Sequence, residues 1–276
     1  MPERRGDLAI VLHSHMPYVE GFGTYPFGEE WLFDAIMRSY LPVLDVAERL
    51  TMTVTPVLAD QLEAPGVAER FVAFAREHRL ESCERDAEDM PAAERDPAYE
   101  AACRSEAERY RRSLESAESL DANLLEPFQR AQGVELVPSA ATHAVLPLLA
   151  TRAGRRAQID SGLRSHVRRF GLPRGFWLPE CAYEPGLEGL LAERSLRWFV
   201  TDQSAAEVPL SALAPVATAA GPVGFTIDWE AVSWLWSLDG YPSDPAHRDF
   251  HRQSLRGARP WSIGGAPYDP EAAAAA

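Results

Sequence analysis

The fold of this chain is decided by the segment GFWLPECAY, residues 175–183. Its apolar first half predicts a short buried strand, and Pro179 ends that strand. Glu180 follows at once, with aromatic residues on both sides of it. A carboxylate at the carboxyl end of a parallel strand, surrounded by aromatic side chains, is typical of enzymes that act on carbohydrates. The alternative that these residues alone leave open is an exposed glutamate at the end of an ordinary core strand.

Strands and helices alternate on both sides of that segment. Apolar runs predict further strands at residues 8–12, 52–57, 134–137, 197–201 and 223–227. Polar side chains follow the successive strands, namely His13 and His15, Asp60, Ser139 and His143, Glu180, Asp202, and Asp228. This α/β pattern predicts a β/α barrel in which the strand ends converge on one active face. A doubly wound open sheet is the alternative, which the missing Gly-rich phosphate turn disfavours.

The stretch from residue 67 to about residue 132 predicts a helical insertion in that barrel. Within it, apolar residues at steps of three and four form one stripe on a long helix: Tyr99, Cys103, Ala107, Tyr110, Leu114 and Ala117. The Glu and Arg residues around this stripe are interpreted as a solvated face with ion pairs one helical turn apart.

The composition narrows the class of partner. The net charge of −14 argues against nucleic acid and anionic membranes, which need a basic surface, and is compatible with a neutral polyhydroxylated substrate. The three cysteines have no CxxC spacing, which favours a reducing compartment and hence a cytoplasmic protein. No stretch approaches membrane-spanning length. No cofactor is predicted.

Several motifs resemble signatures of glycoside hydrolase family 57. LHSHMPYV (12–19) resembles the first signature, and the segment from GVEL to ATH (133–143) resembles the second. WLPECAY (177–183) resembles the third, in the form seen in the 1,4-α-glucan branching enzymes of that family. YPFGEEW (25–31) and the segment from WS to GYP (236–242) are also similar to branching-enzyme segments.

The resemblance implies an incomplete seven-stranded β/α barrel with helical insertions and a retaining double-displacement mechanism. Glu180 would be the nucleophile, attacking the anomeric carbon of an α-1,4-glucan to form a glycosyl-enzyme. Branching enzymes of the family pass that glycosyl unit to a 6-hydroxyl of another glucan chain, whereas hydrolases pass it to water.

Retention requires a second carboxylic acid, and its place in this chain is open. In the family this acid is an Asp in a fourth signature, downstream of the last residue here. Residues 1–276 are therefore expected to be the N-terminal part of the catalytic barrel, truncated before its C-terminal part and a helical domain. Asp202 and Asp228 are the internal candidates for the acid. Ile227 stands where branching enzymes commonly carry a substrate-binding arginine.

Other residues are expected to contact the substrate. By resemblance, His13 and His143 would hydrogen-bond sugar hydroxyls near the scissile bond. His13 and His15 are expected to face opposite ways, so that only one of them need point into the cleft. Trp177 and Trp31 are expected in the core. Aromatic side chains expected to contact sugar rings are Tyr25, Tyr183, Trp236 and Tyr241.

Three other functions compete with glucan branching. The first is an amylase-like α-glucan hydrolase. The second is a metal-dependent carbohydrate deacetylase, in which His13, His15, His143 and an acid would bind zinc. The third is a noncatalytic glucan-binding fragment.

Overall fold

The chain forms two compact units. A computed structural model describes residues 7–88, 96–118, 123–205 and 213–276. The first unit comprises Met1–Glu20, Pro42–Ala64 and Leu125–Trp229. The second comprises Gly21–Leu41, Pro65–Leu124 and Glu230–Ala276.

Within the described residues, the seven strands of the fold all belong to the first unit. The strands are β1 (Val11–Ser14), β2 (Leu50–Val54), β3 (Val134–Val137), β4 (Gly175–Trp177), β5 (Trp198–Thr201), β6 (Val216–Ala217) and β7 (Val223–Thr226). One sheet has the order β1-β2-β3 and the other β4-β5-β7-β6, with parallel pairing except between β6 and β7. A parallel bridge between Ser139 and Trp177 connects the end of β3 to β4. The predicted α/β fold with parallel strands is confirmed.

The helices lie between these strands and in the second unit. They are α1 (Glu30–Ala35), α2 (Leu41–Val46), α3 (Pro56–Leu62), α4 (Val67–Phe74), α5 (Glu81–Glu88), α6 (Pro97–Glu118), α7 (Glu126–Arg130), α8 (Arg152–Phe170), α9 (Leu187–Ala192), α10 (Trp229–Leu235) and α11 (Pro270–Ala275). Within the described ranges, no helix has both the length and the apolarity needed to cross a membrane.

The first two strands differ from their predicted bounds. The strand predicted at residues 8–12 pairs with β2 only from Val11 onward, and Leu8 is 87% exposed. As a result His13 lies inside β1, opposite Thr53. β2 ends at Val54 because Pro56 starts α3, and the Oγ1 of Thr55 caps that helix by accepting a 3.4 Å hydrogen bond from the Leu58 N–H.

The apolar core of the first unit includes Phe176 of β4. Its buried members are Ala140, Leu146, Ile159, Phe176, Leu178, Leu187, Leu190, Leu191, Leu196 and Phe199. At Gly162 in α8, a Cβ atom would lie 2.1 Å from the Ser139 carbonyl oxygen. The glycine is therefore what allows α8 to approach the chain directly after β3.

The second unit confirms the predicted stripe on the long helix and corrects its charged face. In α6 the buried stripe contains Cys103, Ala107, Tyr110, Leu114 and Ala117, whereas Tyr99 is only half-buried. The charged side chains are not all solvated, because Glu106 is 0% exposed and Arg79 in the preceding helical segment is 3% exposed. The apolar pattern missed this because Glu106 lies one helical turn before Tyr110 on the same buried face, where it accepts a 2.9 Å hydrogen bond from the Tyr110 hydroxyl.

Two other expectations are modified in this part of the chain. Trp31 is 54% exposed, so its predicted core position is wrong, because Leu32 and Phe33 take the buried face of α1. In the segment predicted as a helical insertion, residues 67–132, helices α4 to α6 belong to the second unit and α7 to the first. Residues 89–95 and 119–122 of that segment lie outside the described residues.

Candidate active site

The ring of His13, in β1, has two hydrogen-bond partners, one in β2 and one in the segment after β3. Its Nδ1 lies 2.5 Å from the Thr53 Oγ1, because the β1–β2 register places these residues opposite each other. Its Nε2 lies 2.9 Å from the Nε2 of His143, which follows β3. The structure thus brings together the two histidines that the resemblance selected.

His15 joins the same cluster, which corrects the expectation that it points away from His13. Its ring stacks on His143 with centroids 4.1 Å apart, and its Nδ1 lies 3.1 Å from the Thr55 Oγ1. The expectation was wrong because residues two apart in an extended segment lie on the same face, so His13 and His15 share one face and their ring centroids are 6.1 Å apart.

Trp177 stacks against the ring of His13. The two rings are 4.6 Å apart at centroids and nearly parallel, with an interplanar angle of 12°. Trp177 is only half-buried, so the expected core position is modified: it closes β4 and contributes its ring to the site. Its indole N–H is buried and has no hydrogen-bond partner among the described residues.

Glu180 is presented on a left-handed backbone directly after β4. Its φ and ψ are 56° and 21°, and Cys181 after it also has a positive φ of 53°. Such conformations are unfavourable for residues other than glycine and persist where the surrounding structure imposes them. The Glu180 side chain is 68% exposed, and its Oε1 lies 3.7 Å from the His143 Nδ1. The carboxylate is therefore open to a ligand on one side and faces an imidazole on the other.

The neighbouring strands hold this turn in place. The Cys181 carbonyl accepts a 3.0 Å hydrogen bond from the Asp202 N–H and a 3.3 Å hydrogen bond from the Thr201 hydroxyl, both at the end of β5. On the other side, the Ser139 hydroxyl donates a 3.0 Å hydrogen bond to the Trp177 carbonyl. Burial raises the pKa of the Cys181 thiol to about 12, so this residue serves packing and not nucleophilic chemistry.

The histidines of the site are neutral at pH 7. Burial of the ring lowers the pKa of His13 to about 3, and the neighbouring His143 and His15 lower it further. His13 as a residue is exposed, but Trp177 and His143 pack against its ring, which accounts for the burial of the imidazole. Burial, His143 and His15 all lower its pKa. Burial and His143 lower the pKa of His15 to about 4, while Glu180 acts to raise it. Burial also lowers the pKa of His143.

The two internal candidates for the second acid have different surroundings. Asp202 accepts hydrogen bonds from the Ser204 N–H at 2.7 Å and the Trp229 indole N–H at 2.5 Å. These hydrogen bonds, that from Ser204 first, lower the pKa of Asp202, which disfavours the protonated form that a general acid needs. Asp228 is half-buried after β7.

Two other polar residues at the strand ends are engaged structurally. Asp60 lies in α3 and pairs with Arg169 at 2.5 Å, so it contributes to an ion pair within the first unit. Tyr183 is half-buried, stacks on Phe199 at 5.5 Å and donates a 2.8 Å hydrogen bond to Glu188. Tyr183 therefore lies in a loop but is only partly accessible to a ligand.

The remaining aromatic candidates belong to the second unit and are accessible. Tyr25 is 45% exposed and stacks on His78 at 4.4 Å. Trp236 is 72% exposed, and Tyr241 is 64% exposed.

Thr53 and Thr55 are site residues that the sequence reasoning missed. The usable signal was a matched spacing: Thr53 and Thr55 have the same separation as His13 and His15, and the parallel register pairs His13 with Thr53. Each threonine is 0% exposed and contacts one histidine.

A metal-binding arrangement is not found in the described part of the chain. There, no three His, Cys, Asp or Glu side chains are placed so that they could hold a metal ion. The three histidine rings stack on one another instead. The deacetylase alternative therefore finds no ligand set among these residues.

Known proteins resemble this chain along most of its length. The sequence profile of Glycosyl hydrolase family 57 matches residues 9–223. The chain is 31% identical over 305 residues to the 1,4-alpha-glucan branching enzyme TK1436 of Thermococcus kodakarensis, a match that covers 94% of this chain and 44% of the relative.

Solved structures show the same fold. A GH57-type branching enzyme from the archaeon Pyrococcus horikoshii matches with a TM-score of 0.88 at 31% identity, over 97% of this chain and 56% of that chain. The alpha-amylase AmyC from Thermotoga maritima matches with a TM-score of 0.88 at 28% identity, over 97% of this chain and 60% of that chain. The chain spans about half the length of the relatives it matches. It belongs to glycosyl hydrolase family 57.

Proposed function

We propose that this chain carries the nucleophile of an enzyme that rearranges α-1,4-glucan, with 1,4-α-glucan branching as its reaction. The observation that carries the proposal is the presentation of Glu180. Its side chain is 68% exposed on a left-handed backbone at the carboxyl end of β4, beside His143. Two relatives named as branching enzymes, each at 31% identity, support the choice of reaction.

The proposed reaction has two displacements at the anomeric carbon. First, a Glu180 carboxylate oxygen attacks C1, the bond from C1 to O4 breaks, and the leaving oxygen takes a proton from a carboxylic acid. Second, the 6-hydroxyl of another glucan chain attacks C1, the bond to Glu180 breaks, and the deprotonated acid takes the hydroxyl proton. Two inversions give net retention of configuration.

The proton donor is the open part of this mechanism. A retaining enzyme places its two carboxyl groups about 5 Å apart. The hydrogen bonds that lower the pKa of Asp202 argue against that residue. Following the family resemblance, we place the acid outside these 276 residues, with Asp228 as the internal alternative.

Neutral histidines suit the binding of sugar hydroxyls. An uncharged imidazole donates one hydrogen bond and accepts another, which matches the dual character of a hydroxyl group. His13 and His143, whose lowered pKa values keep them neutral, are therefore proposed to bind hydroxyls next to Glu180. The accessible rings of Tyr25, Trp236 and Tyr241 are proposed to stack on sugar units, and Tyr183 to contact them from its loop.

A seven-stranded incomplete barrel with a helical insertion at residues 67–132 is the proposed architecture. The strand order and the bridge between Ser139 and Trp177 support it, because they join the two sheets into one continuous series of seven strands. The buried free thiols of Cys83, Cys103 and Cys181 support a reducing compartment, as in the cytoplasm.

A glycosyl fluoride tests the role of Glu180 independently of the proton donor. Fluoride leaves with little acid assistance, so the first displacement depends chiefly on the nucleophile. With an α-maltooligosyl fluoride, the chain is expected to release fluoride, and Glu180→Gln is expected to lose about 10³-fold or more of that rate. Glu135→Gln, at an exposed glutamate of β3, is the matched control and should keep the rate. Equal rates in both variants would refute the proposal.

The acceptor is tested with amylose and linkage analysis. Branching creates α-1,6 linkages without a net gain of reducing ends, whereas hydrolysis raises the number of reducing ends. A Glu180-dependent rise in reducing ends without new α-1,6 linkages would replace branching by hydrolysis.

A further inference from the structure

Two buried threonine hydroxyls contact the histidines of the site at the same ring atom. Thr53 Oγ1 lies 2.5 Å from the Nδ1 of His13, and Thr55 Oγ1 lies 3.1 Å from the Nδ1 of His15. Both threonines are 0% exposed, so their hydroxyl protons must find acceptors inside the protein.

The direction of these hydrogen bonds follows from the other partners of the hydroxyls. The Ser14 N–H donates to the Thr53 Oγ1 at 3.1 Å, and the Leu58 N–H donates to the Thr55 Oγ1 at 3.4 Å. Each hydroxyl is thus already an acceptor and has one proton left to donate. Among the described residues, the histidine Nδ1 is the acceptor within hydrogen-bond distance of each.

This direction fixes the tautomers of His13 and His143, the two histidines in the series of hydrogen bonds that leads to Glu180. If Thr53 donates to the Nδ1 of His13, the neutral ring carries its proton on Nε2. That Nε2 lies 2.9 Å from the Nε2 of His143, so His13 donates and His143 accepts. The neutral His143 ring then carries its proton on Nδ1, the atom that lies 3.7 Å from Glu180 Oε1.

We propose that Thr53 is a positioning residue, which acts through His13 and His143 to point an N–H group at the Glu180 carboxylate. This proposal rests on the proposed function, in which Glu180 is the nucleophile. In the opposite arrangement, the Nδ1 lone pair of His143 would face the carboxylate and repel it. The N–H attracts the carboxylate without adding a charge and holds it at the turn after β4. The lowered pKa values of His13 and His143 support the neutral rings that this chain needs.

The tautomers can be measured without any turnover. Histidine ¹⁵N NMR distinguishes a protonated from an unprotonated nitrogen in each ring. In the unmodified chain we expect His13 protonated on Nε2 and His143 protonated on Nδ1. Thr53→Val, which removes the hydroxyl at nearly constant volume, should lower the Nδ1-protonated fraction of His143, and Thr53→Ser should retain it. A His143 ring protonated mainly on Nε2 in the unmodified chain would overturn the proposal whatever the variants do.

Kinetics test the consequence for Glu180. With the glycosyl fluoride, Thr53→Val should lower kcat by about three- to tenfold, the equivalent of one hydrogen bond, and leave KM nearly unchanged. Thr53→Ser should restore kcat. Thr51→Val, on the same face of β2, is the control and should leave kcat unchanged. An unchanged kcat in a Thr53→Val protein with altered tautomers would overturn the positioning role.

The two proposals fail in different ways. If the tautomers behave as expected but neither the unmodified chain nor its variants release fluoride, the proposed function is wrong and the hydrogen-bond chain stands. If Glu180→Gln abolishes fluoride release while Thr53→Val does not affect the tautomers, the role of Thr53 is wrong and that of Glu180 stands.

Discussion

Glu180 of the first unit and Glu106 of the second have opposite surroundings. Glu106 is 0% exposed and accepts hydrogen bonds from the Tyr110 hydroxyl at 2.9 Å and the Arg259 N–H at 2.8 Å. Arg248 lies 3.5 Å from it. Glu180 is 68% exposed on a left-handed backbone, and its nearest charged or chargeable partner in the described residues is a histidine nitrogen at 3.7 Å.

The difference distinguishes a carboxylate that stabilises the fold from one that is accessible to a ligand. A buried carboxylate must be hydrogen-bonded and paired, and Glu106 is fully occupied by such partners. Glu180 keeps free acceptor capacity on a backbone that costs energy, which is expected where a ligand completes the site. We therefore expect substitutions of Glu106 to change the free energy of unfolding and substitutions of Glu180 to change turnover.

The largest effect is expected from Glu106→Ala. The substitution leaves buried Arg248 without its carboxylate partner, and it should lower the free energy of unfolding by about 3–5 kcal/mol. Glu180→Ala, the control, should change it by less than about 0.5 kcal/mol because the side chain is mostly in solvent. Urea denaturation followed by circular dichroism measures both. Similar losses in the two variants would contradict the distinction.

A smaller effect is expected from removing the Tyr110 hydroxyl, which donates a hydrogen bond to Glu106. Tyr110→Phe deletes a buried hydrogen bond to a charged group and should cost about 1.5–3 kcal/mol. Tyr183→Phe removes the hydroxyl that donates to Glu188 at a half-exposed position, and should cost less than about 1 kcal/mol. The same denaturation assay compares them, and a larger loss for Tyr183→Phe would count against the comparison.

At Glu180, a substitution is expected to stabilise the fold while it removes activity. Glycine adopts the left-handed conformation without strain. Glu180→Gly should therefore raise the free energy of unfolding by about 0.5–1 kcal/mol, after the extra entropy of the unfolded chain is included. Glu115→Gly, at an exposed position inside α6, should instead lower the free energy of unfolding by about 1 kcal/mol. A loss at both positions would mean that Glu180 is not strained.

The smallest effect concerns the pH dependence of stability. The pKa of His15 is lowered to about 4 in the folded chain, so between pH 6.5 and pH 4 the unfolded chain binds more protons. The free energy of unfolding should therefore fall as the pH falls through this window. His15→Gln should make that fall shallower, whereas His251→Gln, at an exposed position of the second unit, should leave it unchanged. Equal slopes in the two variants would show that His15 titrates normally.

Sequence patterns predicted the local elements better than the side-chain partners. The strand before Glu180 and the apolar stripe of α6 follow from periodicity, because burial of one face repeats along the chain. Periodicity could not place Glu106, since a buried ion pair depends on residues far apart in sequence. For His13 and His15 the period of two does place both side chains on one face, contrary to the expectation for His15. The contacts of Thr53 required the register between strands, which the sequence did not specify.

Gly162 has a consequence for how mutations affect the site around Glu180. It carries no functional group, yet any side chain there would press on the Ser139 carbonyl, which its Cβ would approach to 2.1 Å. Ser139 in turn anchors the Trp177 carbonyl, three residues before Glu180. A screen for inactive variants should therefore recover substitutions of this helical glycine, whose damage reaches Glu180, the proposed nucleophile, through the backbone alone.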